Sequence, residues 1–214
     1  MLISKSPYIS TLTSCAFAFE EFNTVLPLLM AKNVDEQLRQ EVFNRTHLKV
    51  NNEASAKKIL RELKRRYDTL PSSFWEWYNS LGHEAKKGAL WYAILKTYRI
   101  AFDFHIDVTI KKWNSVDRSV TRSDLQLKLL DVSANDEYVD SWSEQTKKKQ
   151  ISAYLTCLRQ VGMLDSKTSE LRPIRLLMPS DYRYYIECGD LWYLDACLLS
   201  GLEKENITNA MKHS

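Results

Sequence analysis

Glycine and proline are scarce, at five residues each in a chain of 214. All-β sandwiches need many turns, so a shortage of turn formers favours helices. Cysteine is limited to Cys15, Cys157, Cys188 and Cys197, and no two of them form a C-x-x-C pair. No histidine cluster accompanies them, which argues against zinc and fits a reducing, cytoplasmic setting. Cys157 and Cys197 fall in apolar helical patterns, the usual place for a buried free thiol. No run approaches the ~18 apolar residues of a membrane span. The stretch "SKSPYIST", ahead of the lipoprotein-like Leu12-Thr13-Ser14-Cys15, is too polar for a secretory apolar region. A Gly-rich phosphate loop is missing, against an ATPase, and a nucleotide-binding glycine loop is missing, against a base methyltransferase. There is no internal repeat and no low-complexity segment.

What is present is enough apolar material for a core. The chain is 44% hydrophobic and 11% aromatic, long enough for one large domain or two small ones. Net charge is only +3, so the location of the charge matters more than its sum. Helical periodicity dominates. "CAFAFEEFNTVLPLLMAK" reads as a helix bent or restarted near Pro27. Val34, Leu38 and Val42 form an i, i+4, i+8 stripe, with a break at "NRTH". "NNEASAKKILRELKRRY" follows, capped by Asn51 or Asn52.

The apolar middle is ambiguous over residues 102–113. Phe102, Phe104, Ile106, Val108 and Ile110 alternate like a strand, while Phe102, Ile106, Ile110 and Trp113 make a helical stripe. No turn signal separates this part from "EAKKGALWYAILKTYRIA", so one long helix is predicted, with allowance for a kink. Polar residues 114–123 form the best internal boundary. Ser123 with Gln126 suggests a capping box, Asn135 heads a short helix, and Ser143 caps a helix over residues 144–161 that stops at Gly162. "MLDSKTSELRP" is expected to make two short strands about a polar turn, with Pro173 restricting the second to an edge. Residues 181–200 are expected to be helical and to stop at Gly201.

Two basic helices stand out. In residues 144–161 a wheel of about 100° per residue buries Ile151, Tyr154, Leu155, Leu158 and Val161. Gln145, Lys148, Lys149, Ser152 and Thr156 lie opposite or flank that face. Lys147 falls on the core side and must snorkel. A short helix, a tight turn, a helix basic at its start and then a strand-turn-strand is the layout of a winged helix-turn-helix, here about residues 124–175. In that motif the first residues of the second helix reach base edges, lysines meet phosphates, and the helix N-terminus adds its positive end. Gln145 and Ser152 are the candidates for bases, Thr146, Lys147, Lys148 and Lys149 complete the surface, and Lys167 at the tip of "DSKTSE" meets a neighbouring phosphate.

The second basic helix is "SAKKILRELKRRY". Ala56, Ile59, Leu60, Leu63 and Tyr67 face inward, while Lys58, Arg61 and Arg65 line up at i, i+3, i+7 on the outside, flanked by Lys57 and Lys64. With the preceding helix it makes a first helix-turn-helix, about residues 34–67, although the link at 45–50 is longer than usual.

At this point the chain resembles the BrxA-type core proteins of bacterial phage-exclusion (BREX) systems. The resemblance is carried by "NEASAKKILRELKRRYDTLP", "LKTYRIAFDFHIDVTIKKW" and "YVDSWSEQTKKKQISAYLTCLRQVGMLD", patterns of residue types over nearly the whole chain. It implies an all-helical fold, double-stranded DNA binding through helix-turn-helix units, and a role in phage defence, with other proteins of the system as partners. Lys57, Lys58, Arg61 and Arg65 match the first basic helix of the family, and Gln145, Thr146, Lys148 and Lys149 the second. No catalytic residue transfers.

An enzyme reading has little to stand on. On a strand, Asp103, His105 and Asp107 of "DFHID" would share a face able to hold a metal; on a helix His105 points away from Asp103. "DVTIKK" lacks the second acid of a restriction-type nuclease. The expectation is an all-α, two-lobed monomer, residues 1–115 and 116–214, that binds double-stranded DNA without a cofactor, a metal or catalysis. The competing reading is a scaffold whose basic faces dock acidic partner proteins.

Overall fold

The computed structural model describes residues 6–174 and 178–212. Regular structure among them is helical, with nothing more strand-like than two isolated bridges. None of these helices is long and apolar enough to cross a membrane. A 3₁₀ turn at Ser10–Ser14 leads through Ala16 and Ala18, at φ 39° and 47°, into α1 (Phe19–Leu29), which keeps Pro27 inside it. The Val34, Leu38 and Val42 stripe turns α2 (Val34–Asn44) onto the core. Buried Glu41 clamps the turn that follows, accepting from the N–H groups of His47 and Leu48 at 2.8 Å each. Asn52 caps α3 (Glu53–Asp68) by accepting from the Ser55 N–H at 2.8 Å. After Pro71 come α4 (Ser72–Ser80) and α5 (His83–Thr97). α5 is the central helix, with Ala89 to Leu95 all buried.

The long helix expected through residues 102–113 is helical but not continuous. Tyr98 leaves the helical region (φ −115°, ψ 101°), separating α5 from α6 (Arg99–Phe104). Its side chain is held in the core, where the hydroxyl donates to Glu62 at 3.2 Å and accepts from Arg66 Nε at 3.3 Å. A π turn at His105–Thr109 then precedes α7 (Ile110–Trp113). The turn carries His105 and Thr109, both of which bond the Tyr154 hydroxyl, at 2.9 and 2.6 Å. The alternation that mimicked a strand is thus a wide helical turn set by a buried polar network.

Three other local expectations are corrected. α8 (Arg122–Asn135) is capped by Thr121 with Asp124 in a reciprocal capping box, not by Ser123 with Gln126. Asp136 rather than Asn135 caps α9 (Glu137–Asp140), accepting from the Val139 N–H at 2.9 Å. Residues 181–200 do not form one helix. A 3₁₀ turn at Pro179–Tyr182 and α11 (Arg183–Glu187) end at Gly189, whose φ of 80° turns the chain before α12 (Trp192–Ala196). Gly201 opens α13 (Gly201–Lys212) instead of stopping a helix. Ser200 and Glu203 cap each other there, with Glu203 Oε2 accepting from the Ser200 N–H at 2.7 Å and Ser200 Oγ from the Glu203 N–H at 3.3 Å. That S-x-x-E pattern is a sequence signal of a helix start, outweighing the stop signal of one glycine.

Ser143 does cap α10 (Glu144–Gln160), and Gly162, at φ 86°, ends it. The chain then doubles back. Leu164 pairs antiparallel with Leu171, and Glu170 with Ser119 from the segment before α8. One apolar cluster takes side chains from Leu12 to Ile207. Its aromatic centre includes Phe74, Tyr92, Tyr184 and Tyr185, with Tyr185 and Tyr193 centroids 4.4 Å apart.

Candidate nucleic-acid interface

α10 buries Ile151, Tyr154, Leu155, Leu158 and Val161, so its other face is the one presented outward. The first turn is fixed by Ser143, whose Oγ accepts from the Thr146 N–H at 3.2 Å and pairs with the Thr146 hydroxyl at 2.9 Å. Thr146 is therefore engaged in the cap. Lys147 snorkels: its side chain is only 13% exposed, and its Nζ lies 3.8 Å from both Asp140 and Glu144. Both acids nearest the helix start share this one lysine and stay exposed. Gln145, Lys148 and Lys149 are exposed, and neither lysine joins an ion pair among the described residues. Two lysines outside any ion pair thus stand over the first two turns of a capped helix, near the exposed carboxylates of Asp140 and Glu144 that share Lys147.

Ser152 has its donor and one of its acceptor sites engaged. Its hydroxyl donates to the Lys148 carbonyl at 2.9 Å and accepts from Arg122 Nη1 at 2.8 Å. The back-bond to residue i−4 is a habit of mid-helix serine and was legible locally. Arg122 lies thirty positions earlier, so nothing in the sequence marked it. Gln150, also unmarked, is fully buried and donates from Nε2 to the Ser10 carbonyl at 2.5 Å, tying α10 to the N-terminal segment.

Lys167 is exposed at the tip of the chain reversal. Asp165 builds that tip, with Oδ1 accepting from the N–H groups of Lys167 and Thr168 at 2.8 and 2.9 Å. These N–H groups hold the Asp165 carboxyl below the usual carboxylate range. The Asp165 N–H donates to the Glu170 carbonyl at 2.9 Å, and the Leu171 N–H to the Arg118 carbonyl at 2.8 Å.

The α3 face carries less free charge than its composition suggests. Lys57 and Lys58 are exposed and join no ion pair among the described residues. Lys64 is paired with Asp68 at 2.9 Å. Arg65 and Arg61 both lean on fully buried Glu62, at 3.2 and 3.9 Å, so the three groups sum to one positive charge. Arg66, the sixth basic residue, is wholly inside the protein. Its guanidinium donates to the Phe17 carbonyl at 2.7 Å, to the Ala16 carbonyl, to Cys15 Sγ at 3.2 Å and to the Tyr98 hydroxyl. It holds the strained Ala16–Ala18 segment onto α3.

Beside Lys57 and Arg61, a groove between α2 and α3 is floored by Leu38, Val42 and Leu60, and Phe43 at its edge is 59% exposed.

The "DFHID" residues do not converge. Asp103 accepts from Arg99 Nε at 2.8 Å and from the Tyr8 hydroxyl at 2.7 Å; Asp107 pairs with Lys128 at 2.9 Å. His105 is buried, its Nε2 donating to the Ala196 carbonyl at 2.7 Å. No group of three metal-ligating side chains gathers among the described residues.

Comparison with known proteins covers most of the chain. The sequence profile of the family described as BrxA matches residues 6–187. A protein of Bacillus cereus (strain H3081.97) named "BREX protein BrxA" is 25% identical over 198 residues, spanning 91% of this chain and 98% of its own. The crystal structure of an uncharacterized protein from Magnetospirillum magneticum superposes with a TM-score of 0.73 over 90% of this chain and 98% of its own. At 18% identity, that likeness speaks to the fold alone.

Proposed function

The chain belongs to the BrxA family, and from that premise we propose that it serves a phage-exclusion (BREX) defence as a non-catalytic protein that binds double-stranded DNA. The observation that carries this reading is the outer face of α10. Lys148 and Lys149 are exposed there, beside Gln145, and join no ion pair among the described residues, while Lys147 lies 3.8 Å from each of the two nearest carboxylates. Lysines so placed neutralise phosphates, and a glutamine in the first turn reaches a base edge. α8, α9 and α10 with the reversal at 163–172 form a winged helix-turn-helix in this proposal. Its support is the pairing of Leu164 with Leu171 and of Ser119 with Glu170. Lys167 on the wing and Lys57 and Lys58 on α3 are the further phosphate ligands. Arg61, Lys64 and Arg65 contribute less, because Glu62 and Asp68 already offset them.

Salt dependence tests this. Each neutralised phosphate contributes about −0.9 to the slope of log K against log salt. Replacing Gln145, Lys148 and Lys149 together by alanine should flatten the slope by about two, since Gln145 carries no charge. The same variant should erode any sequence preference. An unchanged melting temperature is the control, because all three side chains are exposed. An unaltered slope in that variant and in one lacking Lys57 and Lys58 would remove both basic faces from the DNA surface.

The groove between α2 and α3 favours a second reading for that face. An apolar floor rimmed by Lys57, by Arg39 and Arg61 that lean on Glu36 and Glu62, and by Asp35 suits a partly apolar segment of another protein better than a phosphate backbone. Under it the chain is a scaffold within the defence complex, the function left standing if DNA binding fails the salt test.

A further inference from the structure

Arg122 is the first residue of α8 and is exposed. The acid nearest to it in sequence, Asp124, is engaged by Thr121 and by Lys112 at 3.2 Å. The one polar partner of the Arg122 side chain among the described residues is Ser152 on α10, whose hydroxyl is in turn bonded to the Lys148 carbonyl. Arg122 is thus tied to the part of α10 that carries Lys148 and Lys149, and none of the three joins a carboxylate among the described residues. Such a cluster is unfavourable in the free protein and becomes favourable when an anion sits on it. One of the five N–H donors of Arg122 is used on Ser152, which leaves the fork open to solvent for an oxyanion. The segment before α8 bonds the chain reversal after α10, with the Val120 N–H donating to the Ser169 carbonyl at 3.3 Å, so it links the reversal to this cluster.

We propose that Arg122 is a backbone-phosphate anchor for the duplex bound by α10, and that Ser152 is its positioning residue and not a reader of bases. The inference rests on the reading of α10 as a DNA surface and adds the first turn of α8 to it. A contact to phosphate carries no base information, so the residue strengthens binding to every duplex alike.

The experiment is a salt titration of labelled duplex DNA by fluorescence anisotropy, using the full chain and two duplexes of unrelated sequence. Arg122→Ala should flatten the slope by about one and weaken both duplexes by the same factor. Arg122→Lys should keep the slope yet bind several-fold more weakly, because an ammonium cannot grip a phosphate with two parallel bonds. Ser152→Ala should keep the slope and weaken binding, and should add nothing in the Arg122→Ala background, since the pair acts as a unit. A Lys148→Ala, Lys149→Ala double variant serves as the reference for α10. If the reference variant flattens the slope and Arg122→Ala does not, the anchor is wrong and the DNA reading stands. If neither moves the slope, both are wrong. A change in preference between the two duplexes on losing Arg122 also overturns the anchor, because it signals base contact.

Discussion

Arg66→Met should lower the stability of the fold by about 3–5 kcal/mol, the range for removing one member of a buried charged network. Methionine fills much of the arginine's volume, so the loss reports on hydrogen bonds and not on a cavity. The carbonyls of Ala16 and Phe17 are main-chain groups that no repacking can remove. Left unbonded in the interior, each costs about 1–3 kcal/mol. The Tyr98 hydroxyl loses its donor as well, while its bond to Glu62 persists. Two alanines at positive φ add backbone strain, which arginine's bonds hold in place. Chemical denaturation measures the change directly. Arg66→Lys should fall between, since one ammonium can reach one carbonyl but cannot span both. A loss under about 1 kcal/mol for methionine would mean that water takes the place of the guanidinium. On the proposed DNA-binding reading, the affinity of the fraction that remains folded should not change, because Arg66 offers nothing to the surface.

Stability should also fall as the pH drops from about 6.5 to about 4, and the cause is His105. Burial pushes its imidazole down to about 4, against an ordinary value of 6.5, and the Ala196 carbonyl only partly offsets this. A carbonyl can only accept, so Nε2 carries the proton and Nδ1 accepts from Tyr154. The unfolded chain takes up a proton near pH 6.5 that the folded chain refuses until about pH 4. The contribution is therefore complete above pH 6.5, declines through the interval, and is gone below pH 4. Its size is roughly 3 kcal/mol, from 2.5 pH units at about 1.36 kcal/mol each. Melting temperatures of the wild type and His105→Gln, compared at pH 7.5 and pH 5, isolate it. Glutamine donates and accepts but does not titrate, so the wild type should lose more stability on acidification than the variant, whatever the variant's absolute stability. An NMR titration of the wild type gives an independent reading, with the His105 ring expected to stay neutral at pH 5.5. A ring that titrates near pH 6.5 would overturn the assignment.

Both effects arise from residues whose roles the sequence disguised. Arg66 reads as the last of six basic residues on one helix, and His105 as the middle of a candidate metal-holding pattern with Asp103 and Asp107. Periodicity put Ile151, Tyr154, Leu155, Leu158 and Val161 inside correctly because a helix side is set by spacing of 3.6 residues per turn, a local property. It assigned Lys147 to the core side for the same reason, and the snorkelling follows from the length of the lysine stem. The Ser143 cap was legible, and Asn52 was one of two candidates with Asn51, because a cap is a bond between residues three apart. The shift from Ser123 to Thr121 was a local signal passed over, since Thr121 and Asp124, three residues apart, make the reciprocal box themselves.

The sequence by itself determined the helical class, the inward faces of α3 and α10, the stop at Gly162 and the presence of two basic helices, because each depends on composition or on residues within about one turn of one another. The folded structure decided which basic side chains stay unpaired for a partner, partly through local acids and partly through distant groups. Glu62 draws in Arg61 and Arg65, Asp140 and Glu144 hold Lys147, Arg66 turns inward to the carbonyls of residues 16 and 17, and Arg122 crosses to Ser152. A charge is neutralised or buried by what lies within about 4 Å of it, and for Arg66 and Arg122 those neighbours come from chain positions tens of residues away, a distance over which no local pattern carries information.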